Sequence, residues 1–253
     1  MKELLLLSAI ALCASISIAQ NIEELTTARV YANRQGEILP YRLYTPNLLS
    51  HDQALPLVLF LHGAGERGDD NLSQLRHGVE DIIKWSHANE PLLICAPQCP
   101  AGEKWADVDW SQLTHSISDE PAAPMRLALE IIDALSQEFK VDKKRVYITG
   151  LSMGGYGTWD VIQRYPDKFA AAMPICGGGD PAGAVTFKNL PIWVFHGDKD
   201  KAVPVSRSRD MVEALRKVGS PVKYTEYANV GHNCWTQTYA DSEILNWFFK
   251  QKR

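Results

Sequence analysis

Two rhythms of apolar residues alternate along this chain. Leu55–Leu61 and residues 92–96 are continuous apolar runs of strand length, which is how strands covered on both faces read. Residues 145–149, 169–175, 191–195 and 222–227 predict four further strands, and residues 27–44 predict two strands turning at Gln35-Gly36. Between them the period lengthens. Leu127, Ile131 and Leu135, with Ala128, Ile132 and Phe139, mark a helix over residues 124–139, and residues 153–165, 205–218 and 243–250 predict three more. The third of these stops at Gly219. Strands alternating with helices imply parallel pairing through crossovers, hence an α/β fold with a mostly parallel central sheet flanked by helices. Ligands on such sheets gather at the carboxyl ends of the strands. No repeat, linker or low-complexity tract marks a domain boundary. The stretch between Cys176 and Pro191 is too short for an inserted lid domain, and residues 102–119, polar and Trp-containing, read as a surface loop.

Residues 1–19 follow a different pattern. Lys2, a short apolar core from Leu4 to Ala14 and the small residues Ser17 and Ala19 match an export signal cleaved after Ala19. The apolar run is shorter than the roughly 20 residues a bilayer-spanning helix needs. Residues 20–253 are then expected to form one domain outside the cytoplasm, secreted or periplasmic. Composition narrows the partners. With 26 basic against 30 acidic side chains and a net charge of −4, and no basic cluster, nucleic acid and anionic membrane are poor candidates. A mean hydropathy of −0.19 excludes a polytopic membrane protein. Export would expose Cys95, Cys99, Cys176 and Cys234 to an oxidising compartment. Their pairing is not fixed by sequence, although a Cys176–Cys234 bridge is open because both are expected near one rim of the sheet. None has zinc-site spacing.

The chemistry concentrates at Gly150-Leu151-Ser152-Met153-Gly154, directly after a strand and before a helix. Gly-x-Ser-x-Gly at that junction suits a sharp, strained turn that exposes a nucleophilic hydroxyl, with minimal side chains two residues either side. A hydroxyl needs a base, and the base an orienting acid. In strand–nucleophile–helix folds these follow in the order Ser, acid, His. His232, after the last strand, is the expected base, while His196 is expected to hold loop backbone beside the site. Asp200 is the preferred acid over Asp198, expected to bind N–H groups of its own turn, and over Asp180. Acyl transfer also needs donors for the oxyanion. The backbone N–H groups of Met153 and of Ala64, in His62-Gly63-Ala64-Gly65, are expected to supply them, with Gly65 as the alternative to Ala64.

These segments, read in order with Glu66-Arg67-Gly68 and residues 195–204, resemble the α/β-hydrolase superfamily. Within it they are similar to compact, lidless carboxylesterases of the phospholipase/carboxylesterase and polyhydroxybutyrate-depolymerase-like groups. Residues 96–100, 175–180 and 234–236 look like a secreted bacterial branch labelled esterase or predicted peptidase. The resemblance covers nearly all of the chain after residue 19. It implies a Ser152–Asp200–His232 triad, oxyanion donors at Ala64 and Met153, and hydrolysis through an acyl-enzyme without metal or organic cofactor. The expected substrate is a small or polysaccharide-linked ester, acetyl or feruloyl. A peptidase or polyester depolymerase on the same residues, and a non-catalytic binding protein on this scaffold, are the alternatives. Trp159 is expected in the core. Trp105, Trp110 and Trp235 are open between lining the site and packing, and Glu66, Arg67, Asp69 and Asp70 are expected to be mainly solvated.

Overall fold

The computed structural model describes residues 21–46, 53–110 and 112–253; residues 1–19, expected to be an export signal, lie outside them. A short helix α1 (Ile22–Leu25) leads into the hairpin β1 (Thr26–Ala32) and β2 (Ile38–Tyr44), which turns through Gly36 at a φ of 81°. Then follow β3 (Leu55–Leu61), α2 (Val79–Ala88), β4 (Leu93–Pro97), α3 (Ala123–Glu138), β5 (Val141–Leu151), α4 (Met153–Arg164) and β6 (Ala171–Ile175). The chain closes with β7 (Trp193–Gly197), α5 (Ser206–Lys217), β8 (Lys223–Tyr227), α6 (Trp235–Ala240) and α7 (Ser242–Lys250).

The eight strands form one sheet in the order β1-β2-β4-β3-β5-β6-β7-β8. β2 pairs antiparallel with β1 and β4, and the six strands from β4 to β8 run parallel. This is the expected α/β-hydrolase architecture, with helices on both faces. β3 explains why. All seven of its residues are buried, and successive side chains point to opposite faces. Leu57, Leu59 and Leu61 join the core beneath α3, α4 and α5. Val58 and Phe60 join a second core beneath α2, α6 and α7.

Three helices escaped the sequence pattern, the short α1, α2 and α6. α2 carries Val79, Ile82 and Ile83 on its buried side, but charged residues interrupt the run and it begins at Gly78 with no capping side chain. The region 102–119 also departs from a surface loop. Trp105, Ala106 and Val108 are buried, and the Trp105 indole N–H donates to the His62 carbonyl at 3.1 Å. Trp105 fits because residue 157 is glycine: a Cβ there would lie 2.5 Å from the Trp105 Cβ. Trp159 is in the core, as expected. All four cysteines among the described residues are buried and free, so Cys176 and Cys234 share a core without a bridge. Among the described residues, no helix is long and apolar enough to cross a membrane.

Candidate active site

The parallel strands bring the ends of β3, β5, β7 and β8 to one edge of the sheet. At the end of β5, Ser152 has φ 54° and ψ −115°, a conformation that non-glycine residues adopt only under constraint. The constraint is backbone packed on backbone. A Cβ on Gly150 would lie 2.4 Å from the Gly154 carbonyl oxygen, and one on Gly154 would lie 2.0 Å from the Leu61 carbonyl oxygen. The Ser152 N–H is held by the Ile175 carbonyl at 2.9 Å. The hydroxyl therefore projects beyond the sheet at the first turn of α4, whose dipole favours negative charge there.

His232 reaches Ser152 from the loop after β8. Its Nε2 lies 2.9 Å from Ser152 Oγ and its Nδ1 lies 2.7 Å from Asp200 Oδ2. Two loops make this possible by interlocking. Lys199 N–H donates to the Val230 carbonyl at 2.9 Å and Asp198 N–H to the Tyr227 carbonyl at 3.0 Å. Asp198 Oδ1 accepts the Asn229 N–H at 2.7 Å, so its donor comes from the neighbouring loop and not, as expected, from its own turn. Asp180 is engaged elsewhere, accepting N–H groups of Ala182 and Ile117.

Asp200 has a fully buried side chain. Burial pushes its carboxyl up, but His196, His232 and the Val203 N–H together outweigh burial and hold it well below the usual carboxylate range. Oδ1 accepts from the Ala202 and Val203 N–H groups at 2.8 and 2.9 Å. An ionised Asp200 only accepts, so His232 Nδ1 is the donor, which leaves Nε2 of the neutral ring free to accept from Ser152. His196 does hold backbone, with Nε2 3.0 Å from the Val203 carbonyl. It also does something not read from sequence: the same nitrogen lies 3.1 Å from Asp200 Oδ2. Ser208 Oγ fixes the other side of the ring at 2.7 Å. No sequence signal distinguishes a histidine that touches loop backbone from one that also touches the acid.

Ala64 opens a short 3-10 turn, Ala64–Glu66, and Met153 opens α4; first-turn N–H groups have no partner within their own helix. Both residues line the cleft that contains Ser152 and His232, with a volume of about 420 Å³. Trp110, Tyr156 and Val203 form one apolar part of its lining. Trp235 and His77 form another, with the Trp235 ring 5.2 Å from His232 at 90° and 5.5 Å from His77. Trp110 and Trp235 thus line the site, whereas Trp105 packs in the core. Of the expected solvated cluster, Glu66 is buried and lines the cleft. Arg67 Nε donates to the Ala64 carbonyl, and Asp70 accepts from Leu72, Ser73 and Gln98.

The segment after Trp110 is fastened by three scaffold residues. Buried Arg207 donates to the Leu113 carbonyl and meets His115 Nδ1, Asp180 accepts the Ile117 N–H at 3.4 Å, and Arg164 donates to the Asp119 carbonyl and Ser118 Oγ, both at 3.1 Å. Among the described residues, one group of potential metal ligands clusters: Cys176, Asp200 and His232 have ligand atoms within 4.8 Å of one another. It does not suit a cation. Burial raises the Cys176 thiol well above its ordinary range, and Asp200 and His232 already satisfy each other.

The chain's ancestry bears on what this arrangement does. Residues 49–243 match the profile described as phospholipase/carboxylesterase. The chain belongs to that family. Among solved structures, a thermostable esterase shares 39% identity and a TM-score of 0.84, over 91% of this chain and 64% of its own. A bifunctional acetylxylan esterase/xylanase of Neocallimastix patriciarum is 29% identical over 69% of this chain, and an uncharacterized secreted protein of Arthroderma benhamiae is 29% identical over 78%. This family member spans only 23% of the length of either of these two relatives.

Proposed function

We propose that this protein is a carboxylic ester hydrolase that works through an acyl-enzyme on Ser152. The observation that carries the reading is the continuous contact from Ser152 Oγ to His232 Nε2 at 2.9 Å and from His232 Nδ1 to Asp200 at 2.7 Å. His232 removes the Ser152 proton as Oγ attacks the acyl carbonyl carbon. Asp200 stabilises the imidazolium and holds the ring in the required tautomer. The Ala64 and Met153 N–H groups receive the negative charge that develops on the carbonyl oxygen; losing one such donor typically costs ~10²–10³ in kcat. The tetrahedral intermediate collapses, and the alcohol leaves with the proton from His232 Nε2. Water, deprotonated by the same nitrogen, then attacks the acyl-enzyme and frees the acid and Ser152. These steps use no metal or organic cofactor.

The substrates proposed are short-acyl esters or acetyl and feruloyl esters on polysaccharide. The acetylxylan esterase named among the relatives, the cleft without an inserted lid and the aromatic lining of Trp110, Tyr156 and Trp235 support this class. Export by residues 1–19, leaving residues 20–253 as one hydrolase domain, belongs to the same proposal; the secreted relative supports it. Ser152→Ala tests the core of the reading. It is expected to stay folded and to lower hydrolysis of p-nitrophenyl acetate and butyrate by roughly 10⁴-fold or more, with loss of fluorophosphonate labelling. Activity within tenfold of the native protein, or a peptide amide turned over faster than any ester, overturns it.

A further inference from the structure

Glu66 is the one carboxylate in the lining of the cleft. It is only 6% exposed, and among the described residues no side chain or backbone N–H hydrogen-bonds to its carboxylate oxygens. Its nearest side-chain nitrogens are His77 Nε2 at 3.7 Å and Arg76 Nη1 at 3.8 Å, beyond hydrogen-bond reach. Burying a carboxylate without hydrogen bonds is costly, and this one faces a space that a ligand enters. It ends the turn that begins with Ala64, and Oε2 packs so close to Gly63 that a Cβ there would lie 3.0 Å away. The carboxylate is therefore packed against the segment that carries the proposed oxyanion donor Ala64.

Its surroundings select the ligand. A carboxylate accepts and does not donate, so the complementary group is a donor. An ammonium would be repelled by Arg76, which already offsets the charge of Glu66; a hydroxyl would not. The direction follows from the contacts His232–Trp235, Trp235–His77 and His77–Glu66, which form a continuous stretch of lining leading away from the base. This stretch is the path that the proposal below assigns to the group leaving with the proton of His232.

We propose that Glu66 recognises the alcohol side of the ester, accepting a hydrogen bond from a hydroxyl of the leaving group, so that the cleft selects esters of polyols such as sugars over esters of simple alcohols. The proposal rests on the esterase reading. The selectivity is for the alcohol: a phenolic hydroxyl on the acyl side gains nothing from Glu66.

Three esters separate the possibilities: an acetylated xylo-oligosaccharide with a polyol alcohol, methyl ferulate with a polar acyl group, and p-nitrophenyl acetate with neither. Glu66→Gln is expected to lower kcat/KM for the sugar ester relative to p-nitrophenyl acetate at least tenfold, mainly through KM. The ratio of methyl ferulate to p-nitrophenyl acetate is expected to stay within threefold. An equal loss on all three, or a selective loss on methyl ferulate, overturns the proposal. So does failure of the native protein to hydrolyse the sugar ester while it hydrolyses p-nitrophenyl acetate, which leaves the esterase reading intact. Two further measurements stand apart, the first from the folding of Glu66→Gln and the second from turnover. The native protein is expected to prefer a glycerol monoacetate to propyl acetate, and Ser152→Ala to bind the sugar ester at least tenfold more tightly than Ser152→Ala/Glu66→Gln; no difference in either overturns the proposal.

Discussion

The two sides of the candidate site are held by different physics. On the β5–α4 side, Ser152 is fixed by steric exclusion: carbonyl oxygens of Leu61 and Gly154 stand where side chains would be. On the β7–β8 side, Asp200 and His232 sit on loops fixed by directed hydrogen bonds, from the Asn229 N–H to Asp198, from the Lys199 N–H to the Val230 carbonyl and from His196 to the Val203 carbonyl. The first side is intolerant of added volume. The second is intolerant at Gly197, where a Cβ would lie 2.3 Å from the Gly231 carbonyl oxygen, and in addition depends on donors and acceptors remaining matched. Close backbone packing places an atom, while a bonded seat also sets the electrostatics of what it holds.

The contrast can be broken at either end. The largest effect is expected from Gly154→Ala, which forces a methyl group to within 2.0 Å of the Leu61 oxygen. A loss of at least ~3 kcal/mol of stability, or failure to fold, is expected, because backbone cannot yield as a flexible side chain does. A variant with an unchanged melting temperature would show that the elbow is not sterically seated. Next comes His196→Phe, which keeps a ring of similar size but removes the nitrogen that faces Asp200 and Val203. We expect kcat to fall ~30-fold with KM within twofold. The His196 hydrogen bond is one of the contacts that hold the Asp200 carboxyl low; without it that carboxyl protonates at higher pH, so the acid limb of the kcat/KM profile moves to higher pH. A fall in kcat with an unmoved pH profile would reduce His196 to backbone support. The smallest effect is expected from Asp198→Ala, which frees the Asn229 N–H. It removes about 1 kcal/mol of stability and lowers kcat a few-fold; a change confined to melting temperature would mean that the two loops do not share the task of carrying His232.

The same contrast decides how much could be read from sequence. The steric side is written locally. Strand residues 145–149, the glycines at 150 and 154 and the helix starting at Met153 lie in one short stretch, and β3 advertises burial on both faces with seven consecutive residues. The order of Ser152, Asp200 and His232 was legible for the same reason, because each follows a strand at the same edge. Bonded features resist reading. The contact of His196 with Asp200 depends on how the loop after β7 curls back, and the partner of Asp198 lies 31 positions away. Burial of isolated side chains resists it too. Trp105 is surrounded by polar neighbours, and its niche is cut by Gly157 on a distant helix. Glu66 looks like part of a solvated charge run, and only its position in the cleft wall sets it apart from Asp69 and Asp70.

The stretch from Trp105 to Asp119 is secured at its beginning by a ring sunk over Gly157 and at its far end by Arg164, Asp180 and Arg207. Among the described residues, what lies between these moorings contributes Trp110 to the cleft and makes no hydrogen bond to Ser152, Asp200 or His232. Such a span behaves as an interchangeable cassette: its length and wording can be rewritten to reshape the entrance while the machinery beneath stays in register, which makes it the natural starting point for engineering this scaffold toward bulkier esters.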